Sequence, residues 1–148
     1  MQVKDIMTAK PASCSPGTGL AEIAEMMVAE DCGEIPVCGD GNKPVGVVTD
    51  RDIVCRVVAK RKNPLEMRAE DCMTPRLITT TPEMPIEECA RLMEQYQVRR
   101  LPVVDRVGSL CGIVSQADLA RKGPRQATVE VVEKVSEPNT FASSVGGR

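Results

Sequence analysis

Two stretches of this chain place a hydroxyl and a carboxylate three residues apart, directly after an apolar run. They are Gly46-Val47-Val48-Thr49-Asp50-Arg51-Asp52 and Gly112-Ile113-Val114-Ser115-Gln116-Ala117-Asp118. Two kinds of chemistry fit that spacing. A Ser or Thr followed at the third position by an acid forms a helix capping box: the hydroxyl accepts from a backbone N–H and the carboxylate reaches back to the cap. Such a cap stabilises a helix by about 1 kcal/mol. The same atoms also suit a ligand. A hydroxyl beside free N–H groups at a helix start fits a phosphate. A carboxylate one turn in can accept hydrogen bonds from a ribose diol. The two readings are compatible, and the residues alone leave both open.

The elements that would carry these groups come from a duplication. Residues 5–56 overlie residues 71–122 without a gap, at a constant offset of 66, the separation of Asp5 and Asp71. Asp5-Ile6-Met7-Thr8 falls on Asp71-Cys72-Met73-Thr74, and Ile35-Pro36-Val37 falls on Leu101-Pro102-Val103. Each copy of about fifty residues is too small to bury much core alone, so the copies are expected to share one. Within each copy a short amphipathic turn (Val3 to Met7; Ala69 to Met73) precedes an extended run, Pro11 to Ser15 or Leu77 to Thr81. A helix follows, with Leu20, Ile23, Ala24, Met27 and Val28 at helical spacing in copy one, and Ile86, Cys89, Ala90 and Met93 in copy two. Thr18 is read as the first N-cap and Pro85 as a first-turn proline. Strands are predicted over Glu34–Cys38 and Arg100–Val104, then Pro44–Val48 and Leu110–Val114, joined as hairpins through Gly39-Asp40-Gly41-Asn42 and Asp105-Arg106-Val107-Gly108. Second helices start at Thr49 and Ser115. Thr128 to Val135 could add a strand or a short helix against the core.

Bulk properties exclude several functions. The formal net charge is −2 and the pI about 5.3, against a general nucleic-acid binder. One Tyr, one Phe and no Trp argue against a base-stacking platform. No apolar run approaches the ~20 residues of a membrane span, and the N-terminus lacks a signal-peptide pattern. A cytoplasmic protein is expected. With no histidine, the common zinc-ligand sets and Ser-His or Cys-His catalytic pairs are missing, so an enzyme is not expected. Seven cysteines are present. Cys32, Cys38, Cys72, Cys89 and Cys111 lie over Val98, Val104, Ile6, Ile23 and Val45, which reads them as small buried hydrophobes. No metal site is expected.

The duplicated pattern, D-x-M-T, then a helix carrying Ala and Met, then (I/L)-P-V, then G-(V/I)-V-(T/S)-x-x-D, resembles a pair of cystathionine-β-synthase (CBS) domains. The resemblance covers about residues 1–123. It implies an α/β (α+β) fold of tandem β-α-β-β-α half-domains packed about a pseudo-twofold axis, a Bateman module. It divides the chain into a first CBS domain at 1–60, a linker at 61–68, a second CBS domain at 69–123 and a partly disordered C-terminal extension at 124–148. It implies a regulatory module that binds AMP, ADP, ATP or S-adenosylmethionine in clefts between the repeats, with no further cofactor. Asp52 and Asp118 would hold ribose hydroxyls, and Thr49 and Ser115 would contact ribose or phosphate. Adenine would rest on Ile35 and Pro36 with Pro11, and on Leu101 and Pro102 with Leu77. A homodimer is implied, signalling through its own contacts or an effector protein. The competing reading is a scaffold with degenerate, non-binding sites.

The copies disagree where a phosphate would sit. Copy two has Arg99-Arg100 before its (I/L)-P-V strand, and guanidinium groups suit phosphate oxygens. Copy one has Gly33-Glu34 there, and a carboxylate would repel a phosphate. Arg51, opposite Ala117, could supply the missing charge. The sites are therefore expected to differ in phosphate affinity.

Overall fold

The computed structural model describes residues 1–75 and 78–137, the side chains of 126–128, 130 and 131 excepted. Its contacts divide the chain into two compact units. One comprises Met1–Pro11, Ile78–Val107 and Cys111 onward; the other comprises Ala12–Leu77 with Gly108–Leu110. The leading segment of each repeat therefore belongs to the unit built on the body of the other repeat.

In the first unit, helix α1 (Val3–Ile6) and strand β1 (Thr8–Ala9) come from copy one. Helix α5 (Ile86–Tyr96), strands β4 (Arg100–Val104) and β5 (Leu110–Ser115) and helix α6 (Gln116–Lys122) come from copy two. The strands form one sheet in the order β1-β5-β4, with Thr8 paired antiparallel to Ile113 and Ala9 to Gly112. Val3 and Ile6 join Ile86, Met93, Leu101, Val114 and Leu119 in one buried cluster. Helix α7 (Arg125–Val135) packs across α5 and α6. Of the two forms open to Thr128–Val135, the helix is the one adopted. Of the extension expected to be partly disordered, 124–148, residues 138–148 lie outside the described residues.

The second unit repeats this arrangement. Helix α2 (Leu20–Glu30) precedes the antiparallel hairpin of β2 (Glu34–Cys38) and β3 (Pro44–Thr49). The short helix α3 (Asp50–Asp52) runs into a π-helical segment, Ile53–Val58, where copy two keeps regular α-helix. A 3-10 turn, Pro64–Glu66, leads to helix α4 (Ala69–Cys72), the leading segment of copy two. Val47 bridges Thr74 antiparallel, the counterpart of the Thr8–Ile113 pair. The parallel bridge of Cys14 to Val37 mirrors that of Thr80 to Val103. Ile23, Met27, Ile35, Val37, Val48, Val57, Ala69 and Cys72 form the core.

Periodicity located the helices, but both N-termini differ from prediction: Pro85 is the N-cap of α5 and not part of its first turn. Gly19, not Thr18, occupies the N-cap of α2. The Thr18 hydroxyl instead accepts from Ser15 N–H at 3.0 Å, closing the preceding turn, while its carbonyl accepts from Ala69 N–H. Both long helices end alike, on Asp31 (φ 49°) and Gln97 (φ 51°) in the left-handed region, a usual way to stop a helix.

Glycine is required where a leading segment crosses a strand. A Cβ at Gly46 would lie 2.8 Å from the Thr74 carbonyl oxygen. At Gly112 it would lie 2.6 Å from the Met7 sulfur and 3.1 Å from the Thr8 carbonyl oxygen. A methionine tip can swing away, whereas a paired backbone cannot. Gly46→Ala is therefore expected to cost about 1–3 kcal/mol of unfolding free energy, and Gly112→Ala less. Urea denaturation followed by circular dichroism measures both, and an unchanged midpoint for Gly46→Ala would refute the close approach.

Candidate functional site

In both copies the hydroxyl–carboxylate pair forms a complete capping box. In copy one, Thr49 ends β3; its Oγ1 accepts from Asp52 N–H at 3.0 Å, and its own N–H donates to Asp52 Oδ2 at 3.0 Å. In copy two, Asp118 N–H donates to Ser115 Oγ at 3.1 Å, and Ser115 N–H donates to Asp118 Oδ2 at 2.8 Å. The capping chemistry read from the motif is thus present in both. What separates the copies is the use of the remaining carboxylate valence.

Asp52 is enclosed. The Thr74 hydroxyl donates across its carboxylate, 3.1 Å from Oδ1 and 3.3 Å from Oδ2. Arg56 Nε lies 3.6 Å from Oδ1, and Arg56 Nη1 lies 3.5 Å from the Met73 carbonyl oxygen. Only 4% of Asp52 is exposed. Asp118 is half-buried. Its Oδ2 takes both the Ser115 N–H and the Ser115 hydroxyl, the latter at 2.9 Å. Its Oδ1 has no hydrogen-bond partner among the described residues.

The charges beside each pair also differ. Gln116 N–H donates to the Arg99 carbonyl oxygen at 2.8 Å, which ties the Arg99-Arg100 step to the start of α6. The corresponding bond in copy one runs from Asp50 N–H to the Gly33 carbonyl oxygen at 2.9 Å. There the Asp50 carboxylate lies against Gly33, so close that a Cβ on the glycine would meet its Oδ2 at 2.8 Å. Where copy two carries a guanidinium, copy one has a carboxylate resting on a bare Cα. Neither Asp50 nor Arg56 was singled out in the sequence. The signals were the i,i+4 spacing of Asp52 and Arg56 and the glycine facing an extra acid.

The other candidates are placed as follows. Ile35 and Leu101 point into the two cores. Pro36 and Pro102 are also buried, and their carbonyls accept from Cys14 and Thr80 N–H. Pro11 is half-buried and ends the segment assigned to the first unit, whereas Ile35 and Pro36 belong to the second. Arg51 is exposed on α3, Arg99 is exposed and Arg100 is half-buried at the head of β4. Leu77 lies outside the described residues.

All seven cysteines are free thiols. Cys38, Cys72 and Cys89 are buried, as their aliphatic counterparts suggested; Cys32 and Cys111 are half-buried. Cys14, unassigned from the repeat, is buried, and Cys55 is exposed. Burial pushes the Cys14 thiol up to about 12, with Cys38 and Glu22 adding to the shift. Burial likewise raises Cys89 to about 11, against a hydrogen bond from Thr80 that lowers it. Such thiols are not nucleophiles near neutrality.

A family model for the CBS domain matches residues 3–59 and 69–124. Hypoxic response protein 1 of Mycobacterium tuberculosis is 34% identical over 95% of this chain and 97% of its own length. An uncharacterized Methanopyrus kandleri protein, MK0525, is 35% identical over 86% of this chain, which spans 63% of that protein. A crystal structure of hypoxic response protein 1 with two coordinated zinc ions superposes with a TM-score of 0.76 over 84% of this chain and 100% of that one. Among the described residues here, no group of three or more Cys, Asp and Glu side chains could hold a metal. The CBS domain pair of protein MJ0100, crystallised with 5′-methylthioadenosine and S-adenosyl-L-methionine, gives 0.72 at 28% identity, over 82% of this chain and 94% of that one. CBSX2 in complex with AMP gives 0.69 at 29%, over 81% and 93%. No described helix is long and apolar enough to cross a membrane.

Two outcomes are expected. Thr74→Val should destabilise the second unit by about 1–3 kcal/mol, since it strips a donor from a buried carboxylate. The coupling energy in a double-mutant cycle with Asp52→Asn measures it, and a value of zero would mean the Thr74–Asp52 bond carries nothing. The raised thiols contribute stability that is fully present below their ordinary pKa of 9.0 and is lost as pH rises toward their folded values. Cys14 and Cys89 should accordingly resist alkylation at mildly alkaline pH until the chain unfolds. Mass-spectrometric mapping of label checks this, and rapid native labelling at either position would refute the burial.

Proposed function

Since the chain belongs to the CBS-domain family, with two copies in tandem, we propose that it is a regulatory module, not an enzyme, that binds a phosphorylated adenosine ligand at Asp118. The observation that carries this reading is the contrast between the two carboxylates. Asp118 keeps Oδ1 unoccupied within the described residues and stands on the same backbone junction as Arg99 and Arg100. A ribose diol donates to the carboxylate; guanidinium groups meet phosphate oxygens in charge-assisted hydrogen bonds. The complexes of MJ0100 and CBSX2 with adenosine compounds support the ligand class. AMP, ADP and ATP are the preferred candidates over S-adenosylmethionine, because a sulfonium gains nothing from an arginine pair.

A specific observation favours the scaffold reading for copy one. Asp52 is saturated by Thr49, Thr74 and Arg56, and Asp50 adds a negative charge beside Gly33. In that copy the hydroxyl–carboxylate pair serves the fold. Ligand binding can shift the module's output only by favouring one state over another. That output passes to an effector protein or through contacts between copies.

Isothermal titration with AMP, ADP, ATP and S-adenosylmethionine tests the proposal. One site per chain is expected for the phosphorylated ligands. Asp118→Ala should weaken binding about tenfold to a hundredfold, the worth of hydrogen bonds to a charged group. Asp52→Ala should lower the melting temperature and leave affinity nearly unchanged. Arg99→Ala with Arg100→Ala should weaken ATP more than S-adenosylmethionine. Absence of heat and of thermal shift with all four compounds would leave only the scaffold reading for both copies.

A further inference from the structure

Repeat-related turns of the two copies carry different groups. The turn between β4 and β5 joins the strand ends opposite to those that carry Arg100 and Ser115. Beside it lies a cavity of about 360 Å³, lined by Pro82, Glu83, Asp105, Arg106 and Val107. In copy one these positions are Pro16, Gly17, Gly39, Asp40 and Gly41. Only copy two therefore furnishes the place with long side chains of both charges. The two turns that form its walls are held by the backbone. The Pro82 carbonyl accepts from Lys4 N–H at 2.9 Å, and Met84 N–H donates to the Thr81 carbonyl at 3.2 Å. On the other side, Val107 N–H donates to Asp105 Oδ1 at 3.0 Å. The volume falls at the small end of the range for small-molecule sites, roughly 300–1,000 Å³.

The charges identify the ligand. Glu83 and Arg106 line one cavity, yet neither makes an ion pair with a described residue. Opposite charges that share a cavity without touching leave room for a group between them. Asp105 stands on the side of Glu83. Burial raises the half-buried Cys111 thiol, and Asp105 and then Glu83 add to the shift, so both carboxylates lie near one sulfur. Two carboxylates are too few for a calcium cage, and among the described residues no larger group of metal ligands exists. A ligand with both signs of charge fits better. An ammonium donates to the carboxylates, and a carboxylate meets the guanidinium in charge-assisted hydrogen bonds. Pro82 and Val107, the latter 69% exposed, offer apolar surface to an aliphatic side chain. We propose that this cavity binds a free α-amino acid with an aliphatic side chain, its ammonium toward Glu83 and Asp105 and its carboxylate toward Arg106. This inference does not depend on which ligand binds at Asp118.

Amide chemical-shift mapping of the full chain by NMR, during titration with L-leucine, tests the proposal. Saturable shifts are expected at Glu83 and across Asp105 to Gly108, and none at Gly39 to Asn42, the equivalent turn of copy one. Isoamylamine and isocaproate each keep one of the two charges of leucine. Each should bind about tenfold or more weakly than leucine, the worth of hydrogen bonds to one charged group. Arg106→Ala and Glu83→Gln should each weaken leucine to a similar extent with unchanged circular dichroism spectra, since both side chains are exposed. Asp118→Ala should leave leucine binding unchanged, which separates this site from the one proposed for the nucleotide. The absence of saturable shifts at millimolar L-leucine would overturn the proposal. So would isoamylamine binding as tightly as leucine, which would mark a simple cation site, or leucine binding that survives Arg106→Ala undiminished.

Discussion

Two short backbone pairings, Thr8 with Ile113 and Thr74 with Val47, hold the leading segment of each repeat on the strand of the other. The remaining architecture depends on them. A two-stranded hairpin such as β2–β3 is marginal in water, and a third segment completes its polar edge. Each crossing needs a strand position without a Cβ, and Gly46 and Gly112 supply it. The same segments deliver Val3 and Ile6 to one core and Ala69 and Cys72 to the other. Because each unit takes a piece of both repeats, neither copy can be removed without stripping the other of core and hydrogen bonds.

That exchange also governs the site. Thr74 reaches Asp52 only because the segment carrying it is paired to Val47. Once there, its hydroxyl takes up carboxylate valence that the capping box leaves open. A buried carboxylate with a hydroxyl, a backbone N–H and a guanidinium around it is a satisfied structural group. Asp118 has the same cap and less company. The two copies thus carry the same carboxylate in different surroundings: Asp52 is satisfied by Thr49, Thr74 and Arg56, whereas Asp118 Oδ1 has no partner among the described residues.

Much of the fold was legible because its signals are local. The strands Glu34–Cys38 and Arg100–Val104 match their predicted bounds, since branched residues end at strong turn signals. The helices α2 and α5 follow from a 3.6-residue apolar period. The Thr18 hydroxyl can cap forward or close the turn behind it, and Ala69 decides which by bonding the Thr18 carbonyl. The π-helical turn at Ile53–Val58 has no residue signature. Asp50 and Arg56 are not legible in the sequence for a related reason. Asp50 overlies Gln116 and Arg56 overlies Lys122, and the meaning of each lies in what it touches: the Cα of Gly33 for one, Asp52 for the other.

By itself, the sequence determined the duplication, the element order, the family, and which residue types recur at the strand–helix junction. These depend on spacing along the chain, and spacing survives in one dimension. Only the tertiary structure decided which leading segment serves which body, which carboxylate is saturated, and which helix face α7 covers. Those outcomes depend on residues dozens of positions apart meeting at hydrogen-bond or packing distance. A strand pairing or a buried contact sets such distances, and no local pattern encodes them.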